Sequence, residues 1–324
     1  MLLYHRVTNL AADPQRLAVS PAHFADHLEV VRADGVLMSL EELVDAARQG
    51  RLPPRAVAIT LDDGYEDNLR NAAPLLADAH APATAFVSTG PLGRGGEFWW
   101  DEIDRLVLQP GTLPPLIRLQ IGDRVGEWDL TGVTRWTAAD CARYSAWNVE
   151  HGEAPTPRHR LYCDLCGQLP RLTGSARDRV LAELLELSGQ DRVTRLTHRP
   201  LSAADIAALA KAEQITIGSH TDSHSSLAHL AADEQRREIA SGRQRLESLT
   251  EVPVTTFAYP FGGSQDVSDS TVGSAREQGI NIACCAHAGT VHREINPLRL
   301  PRFVVRNWPR SEFQERWSEW AQAN

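Results

Sequence analysis

The chain has 324 residues, 42% of them hydrophobic and 23% charged, and carries a formal net charge of −9; it is long enough to bury a full globular core. The acidic balance, with no basic stripe or run, argues against a nucleic-acid partner and against an anionic membrane surface. A single lysine, Lys211, nearly removes Schiff-base chemistry, and there is neither a glycine-rich phosphate loop nor an apolar run of membrane-spanning length.

Taken in chain order, short strand-like runs alternate with helix-like ones. "MLLYHRV" reads as a strand, and it lacks the charged and apolar regions of a secretory signal, so a cytoplasmic location is expected. "SPAHFADHLEVVRADG" reads as a helix with Ser20 as N-cap, Pro21 in the first turn and Gly35 as stop. "SLEELVDAARQG" repeats the pattern, with Ser39 and Glu42 spaced as a capping box. The strand "AVAITL", the helix "NLRNAAPLLADAH" and the strand "ATAFVSTG" follow.

The rhythm breaks between about residues 91 and 200. That stretch holds a helix at "EFWWDEIDRLVLQ" and a hairpin in "IRLQIGDRVGEWDL" around Gly122-Asp123. It reads as an insertion packed over one face of a single domain spanning 1–324. Cys163 and Cys166 in "LYCDLCGQL" are spaced like half of a zinc ribbon, but no second spaced pair exists. Tyr162, Leu165, Cys166 and Leu169 fall at helical spacing, so the cysteines are read as buried free thiols.

After residue 200 the alternation resumes. It runs through helix "SAADIAALAKAE", strand "ITIGS", the long helix "ADEQRREIASGRQRLESLT", strand "TTFAY", helix "STVGSAREQG", strands "NIACCA" and "LRLPRFVV", and the helix "SEFQERWSEWAQA". Strands apolar on both faces that alternate with helices predict a parallel sheet wrapped by helices. About seven of them predict an α/β fold in which the sheet closes into a distorted (β/α) barrel. Such barrels carry their chemistry at the C-terminal ends of the strands.

The residues following three of these strands fit that expectation. "ITL" is followed by Asp62-Asp63-Gly64, "ITIGS" by His220-Thr221-Asp222-Ser223-His224, and "TTFA" by Tyr259-Pro260-Phe261-Gly262-Gly263. Two adjacent carboxylates repel one another, so something must offset the pair. Two histidines four apart, brought beside a carboxylate, make a three-ligand site for a divalent ion with open coordination positions. Zinc is the first expectation, and cobalt, nickel or iron are alternatives.

"TLDDG", "SHTDSH" and "FAYPFG", in this order, resemble the polysaccharide deacetylase family with the NodB-homology domain, carbohydrate esterase family 4. The likeness covers residues 1–90 and about 200–305. It implies a distorted (β/α) barrel and metal-dependent hydrolysis of N-acetyl groups on an amino sugar or glycan precursor. Carried over position by position, Asp62 resembles the general base, Asp63, His220 and His224 the metal ligands, and Thr221 the residue bracing the ligand turn. Tyr259, Pro260 and Phe261 would line the substrate, with a backbone N–H near Tyr259 or Phe261 holding the oxyanion.

The chain also departs from the family. Ala258 stands where the third motif usually has arginine, and the late Leu-x-His that supplies a general acid has no match, since His292 lies in a polar turn. His5, at the end of the first strand, is expected to serve as a catalytic group in its place, ahead of His287. Arg302 in "LRLPRFVV" is expected to orient Asp62. The Tyr-His-Arg-Val, Ala-Tyr-Pro-Phe and Leu-Pro-Arg combination resembles a subgroup of the family found in surface-polysaccharide synthesis. Trp99, from the pair Trp99-Trp100, is assigned as a sugar contact, while Asp101 and Glu102 favour the start of their helix. Two other readings stay open: the same site acting on an N-formyl sugar or another non-peptide amide, and a sugar-binding barrel that has lost activity.

Overall fold

The computed structural model describes residues 1–93 and 95–322. The chain forms two compact units, one made of Met1–Asn9, Leu17–Gly93 and Pro200–Asn324, the other of Leu10–Arg16 and Arg94–Arg199.

The first unit contains seven strands: β1 Leu2–Tyr4, β2 Ile59–Leu61, β3 Ala83–Val87, β4 Ile215–Ser219, β5 Thr256–Ala258, β6 Ile282–Cys284 and β7 Phe303–Val304. They form one sheet in the order β6-β5-β4-β3-β2-β1-β7, and every pairing is parallel. The residues just before β7 bring the two edges together. Leu300 bridges Cys284 in parallel, Cys285 N donates to Leu300 O at 2.7 Å, and Phe303 N donates to Met1 O at 2.9 Å. The sheet therefore curls into the distorted barrel expected from the alternation.

Alternation along β3 explains why its residues are buried on both faces. Ala83, Ala85 and Val87 pack in the cluster shared with the helices, whereas Phe86 packs with Ala258, Cys284 and Leu300. Phe86 needs Gly218 opposite it, because a Cβ at Gly218 would lie 2.4 Å from the Phe86 ring.

The helices of this unit are α1 Pro21–Asp34, α2 Leu40–Arg48, α3 Ala73–Asp78, α4 Ala203–Leu209, α5 Ala232–Thr250, α6 Asp269–Glu277 and α7 Arg310–Gln322. Ser20 caps α1 by accepting from His23 N, and Ser39 and Glu42 form the reciprocal capping box on α2. Among the described residues no helix is long and apolar enough to cross a membrane.

Three elements differ from the sequence expectation. The stretch read as one helix from Asn68 opens with a π-helical turn, Asn68–Ala72, before α3. Pro74 has no N–H for the Arg70 carbonyl, so the α-helical ladder cannot run through this turn unbroken. "MLLYHRV" divides at His5, and Arg6–Val7 pairs with Ala18–Val19 instead of with β2. "LRLPRFVV" divides at Pro301-Arg302: Leu300 reaches β6, and only Phe303–Val304 pairs with β1.

In the second unit the hairpin is present as expected, with Leu116–Ile121 antiparallel to Arg124–Asp129 across Gly122-Asp123. "LYCDLCGQL" lies mostly within the helix Pro157–Gln168, where Tyr162 and Leu165 are buried and Cys163 and Cys166 are half-buried. All five cysteines are free; Cys284 and Cys285 are the two that are fully buried.

Candidate active site

The C-terminal ends of the parallel strands carry the chemistry-bearing residues. Asp62 continues the β2 ladder, its N–H donating to Tyr4 O at 2.9 Å. The chain then turns sharply: Asp63 and Gly64 adopt φ of 74° and 92°, and Gly64 N donates back to Asp62 O. Only glycine fits after Asp63, since a Cβ at Gly64 would stand 2.8 Å from Val87 Cγ1. In a continued strand successive side chains point to opposite faces. The left-handed turn instead brings both carboxylates to one place: His220 Nε2 lies 3.5 Å from Asp63 Oδ1 and 4.0 Å from Asp62 Oδ2.

His220 follows β4 directly. Its Nδ1 lies 2.7 Å from Ala258 O, an acceptor only, so Nδ1 carries the proton and Nε2 presents its lone pair. Position 258 thus serves the site through its backbone. His224 is set by Thr221, whose Oγ1 accepts from His224 N at 3.0 Å, and His224 Nε2 is 3.2 Å from Asp63 Oδ1. One ligand atom each from Asp63, His220 and His224 lies within 4.8 Å of the others, and all three residues are buried. These were the three expected ligands.

Asp62 is gripped by Arg302, whose Nη1 and Nη2 donate to Oδ1 and Oδ2, each at 2.7 Å. Arg302 is completely buried inside the barrel and also donates to Thr60 Oγ1 and Cys285 O. This is the residue expected to orient Asp62, and its guanidinium contacts both carboxylate oxygens.

The charge balance supports a cation. Burial alone would raise the pKa of Asp62, but the Arg302 guanidinium and His220 outweigh it and hold the carboxyl below its ordinary range. Burial would likewise raise Asp63, yet its contacts with His220 and His224 drive it far below. Burial would lower His220, but Asp62 and then Asp63 pull it up. Arg302 neutralises one carboxylate. The second faces two imidazoles, and this arrangement of one anion and two neutral nitrogen donors fits a divalent ion.

The backbone is strained around this point. Eight non-glycine residues among the described residues have positive φ, and four of them are Asp63, Thr221, His224 and Phe261. Such conformations persist only where the surroundings impose them.

The remaining expected residues are distributed unevenly. His5 follows β1, is half-buried, and its buried Nδ1 has no hydrogen-bond partner. Burial lowers its pKa against the opposing pull of Asp63 and Asp62, so the neutral imidazole prevails. Phe261 is 39% exposed, and its ring meets that of His224 edge-on at 5.0 Å. Pro260 is buried beside it.

Tyr259 corrects the expectation. It is buried, its hydroxyl donates to Leu298 O at 3.0 Å, and its N–H is committed to Cys284 O. It is a core residue and cannot hold an oxyanion through that N–H. Trp99 is corrected as well, because it is 7% exposed within the second unit, with the Arg177 guanidinium 5.1 Å over its ring. It has no open face on which a sugar could stack.

Several supporting residues escaped the sequence reading. Asp67 accepts from Val7 N and Arg6, Asn68 donates to His5 O, and Asn71 donates to Val7 O. The turn after β2 therefore pins the backbone from the His5 carbonyl to Val7. Glu238 on α5 holds the loop between the two ligand histidines. The available signal was Gly242, one helical turn further on, since an interior glycine costs a helix ~1 kcal/mol and calls for a packing reason.

The sequence profile of the family described as Polysaccharide deacetylase matches residues 49–111 and 192–283. Poly-beta-1,6-N-acetyl-D-glucosamine N-deacetylase of Staphylococcus aureus is 32% identical over 77 residues, 24% of this chain and 27% of that protein. The chain thus spans about a quarter of the length of the curated relatives it matches. Among solved structures, IcaB from Ammonifex degensii superimposes with a TM-score of 0.58 at 19% identity, covering 99% of this chain and 96% of that one. The Streptococcus pyogenes deacetylase PplD, solved in complex with acetate, gives a TM-score of 0.57 at 16% identity, covering 97% and 95%. These structures share the fold. With the profile match and the Asp-His-His set at the strand ends, they lead to one assignment: the chain belongs to the polysaccharide deacetylase family, whose barrel is the NodB-homology domain.

Proposed function

We propose that the protein hydrolyses the N-acetyl group of an amino sugar in a glycan or glycan precursor. The observation that carries this reading is the division of labour between the two carboxylates. Asp63 turns to the two histidines, while Asp62 is locked by Arg302 beside them with its charge intact. A divalent ion held by Asp63, His220 and His224, zinc being the natural match for this donor set, would supply Lewis acidity toward the acetamide carbonyl and toward water.

The chain's own residues do the rest. Asp62 keeps a lone pair on each oxygen beyond those used by Arg302 and takes a proton from the attacking water. The water oxygen bonds to the carbonyl carbon, the C–N bond breaks, and acetate and the free amine result. No partner for the Phe261 N–H is found among the described residues, so it is available to the developing oxyanion, whereas the Tyr259 N–H is not. The leaving amine needs a proton. His5, a neutral imidazole after β1 that is not one of the ligands, would relay to it the proton that Asp62 took from the water, accepting at one ring nitrogen and donating from the other.

Arg302 also answers the departure at Ala258. A cation does reach the base, but from the end of the chain. An inactive binding barrel would have no use for a buried guanidinium that orients Asp62. The name of the Staphylococcus aureus relatives supports an N-acetylglucosamine polymer as the substrate class.

Asp62→Asn tests the reading. It should retain about one equivalent of zinc by elemental analysis and lose acetate release from N-acetylglucosamine oligomers by ~10²–10⁴-fold. Acetate release equal to wild type would remove Asp62 from the role of base. Wild-type protein that neither retains metal nor releases acetate would overturn the hydrolase reading.

A further inference from the structure

The loop His220–His224 holds Thr221 and His224 at φ of 67° and 56°, a backbone that side-chain-bearing residues adopt when neighbours hold them there. It is clamped from two sides. On one side Ser88 Oγ donates to His220 O at 2.7 Å, Thr89 Oγ1 donates to Asp222 Oδ1 at 2.7 Å, and Gly90 N donates to Asp222 O at 2.6 Å. On the other lies α5. There the Glu238 carboxylate accepts the Ser223 N–H at Oε2, 2.8 Å, and the Ser223 hydroxyl at Oε1, 2.6 Å, while Glu238 O accepts from Asp222 N. Gly242 permits this approach, because a Cβ there would sit 2.6 Å from the Thr221 carbonyl.

We propose that Glu238 is a positioning residue for the metal ligands, fixing the backbone of residues 222–224 so that His224 meets Asp63 before any ion arrives. The proposal rests on the reading of Asp63, His220 and His224 as the ligand set. Glu238 grips the N–H and the hydroxyl of Ser223, the residue immediately before His224. Two bonds to one residue fix its backbone and its side-chain rotamer together, and that sets the direction of the next side chain. Outer partners of this kind change metal affinity when removed, although they never touch the ion.

The test measures Co(II) and Zn(II) dissociation constants and the visible Co(II) spectrum for wild type, His224→Ala, Glu238→Ala, Glu238→Gln and Ser223→Ala. Glu238→Ala should weaken binding by about 10–100-fold and alter the Co(II) bands. Glu238→Gln should stay within a few-fold of wild type, since its carbonyl can accept the Ser223 N–H and its amide can donate to a hydroxyl that both gives and receives. Ser223→Ala loses one of the two bonds and should fall between them, which keeps the test decisive even if Glu238→Ala does not fold. Wild-type affinity and spectrum in Glu238→Ala, or in Ser223→Ala if Glu238→Ala does not fold, would overturn the proposal, as would Glu238→Gln binding as poorly as Glu238→Ala. If metal binds wild type and is lost in His224→Ala in either of these cases, the ligand set stands and only the role of Glu238 falls. If wild type binds no metal, both fall.

Discussion

Arg302 spends its guanidinium on a buried carboxylate, a threonine hydroxyl and a backbone carbonyl at once. That is a fork's work, and a lysine ammonium cannot bridge both Asp62 oxygens while reaching Thr60 and Cys285. Arg302→Lys should therefore lower kcat by roughly tenfold or more with metal content unchanged, a loss in the catalytic step with the ion still bound. Arg302→Met leaves Asp62 buried and unpaired and should destabilise the fold by about 3–5 kcal/mol in urea titration. At this scale the sequence was informative where a residue's type is rare at its position. Asp62-Asp63 and the histidines at 220 and 224 stand at strand ends, where such side chains need a reason. It was silent on Glu238 and Asp67, because a carboxylate on a polar helix or turn reads as solvated until its partner is seen. Tyr259 and Trp99 misled for the opposite reason: an aromatic near a strand end is as useful to the core as to a ligand.

Among the elements, α5 shows two tendencies in conflict. Replacing Gly242 by alanine should favour the isolated helix by ~1 kcal/mol. The added methyl would meet the Thr221 backbone at 2.6 Å, and backbone cannot swing away as a side-chain end can. Overpacking of this kind costs about 1–3 kcal/mol, so the clash wins. Gly242→Ala should therefore unfold at lower temperature than wild type and bind zinc more weakly; a rise in Tm with unchanged zinc affinity would refute the clash. Helices and strands were largely legible from capping residues and apolar runs. The breaks were legible only in hindsight: Pro74 and Pro301 were visible, but what each proline does depends on which carbonyl lacks a partner and which strand lies beside it. The π-helical turn at Asn68–Ala72 has no periodicity of its own to read, yet it carries the side chains that hold the backbone around His5.

For the molecule as a whole, alternation and two-faced apolar strands were enough to announce a parallel barrel, whereas the closing contacts were not, because β7 is two residues long and Leu300 pairs alone. The last helix of the barrel unit adds a pH dependence. His27 of α1 stacks on Phe313 of α7 at 3.9 Å; its Nε2 donates to Trp308 O, and its Nδ1 accepts from the Tyr4 hydroxyl. Burial lowers its pKa to about 4, with the Trp308 carbonyl and Asp26 opposing and His23 assisting. The unfolded chain takes up this proton near pH 6.5 and the folded one only near 4, so stability is whole above 6.5 and falls as pH drops toward 4, by up to about 3 kcal/mol. His27→Gln, which keeps a donor and an acceptor but cannot be charged, should flatten that part of the curve in urea titrations between pH 7 and 4.5; an unchanged slope would place the acid sensitivity elsewhere. The closure itself has a consequence for how the protein is made. Asp62 leaves the ribosome 240 residues ahead of the arginine that holds it, and β1 waits longer still for β7, since Leu2 pairs with Phe303. A nascent chain therefore carries an unguarded carboxylate pair and an open sheet edge until Arg302 and β7 have been made, so the barrel closes, and Asp62 is held, only after those residues emerge.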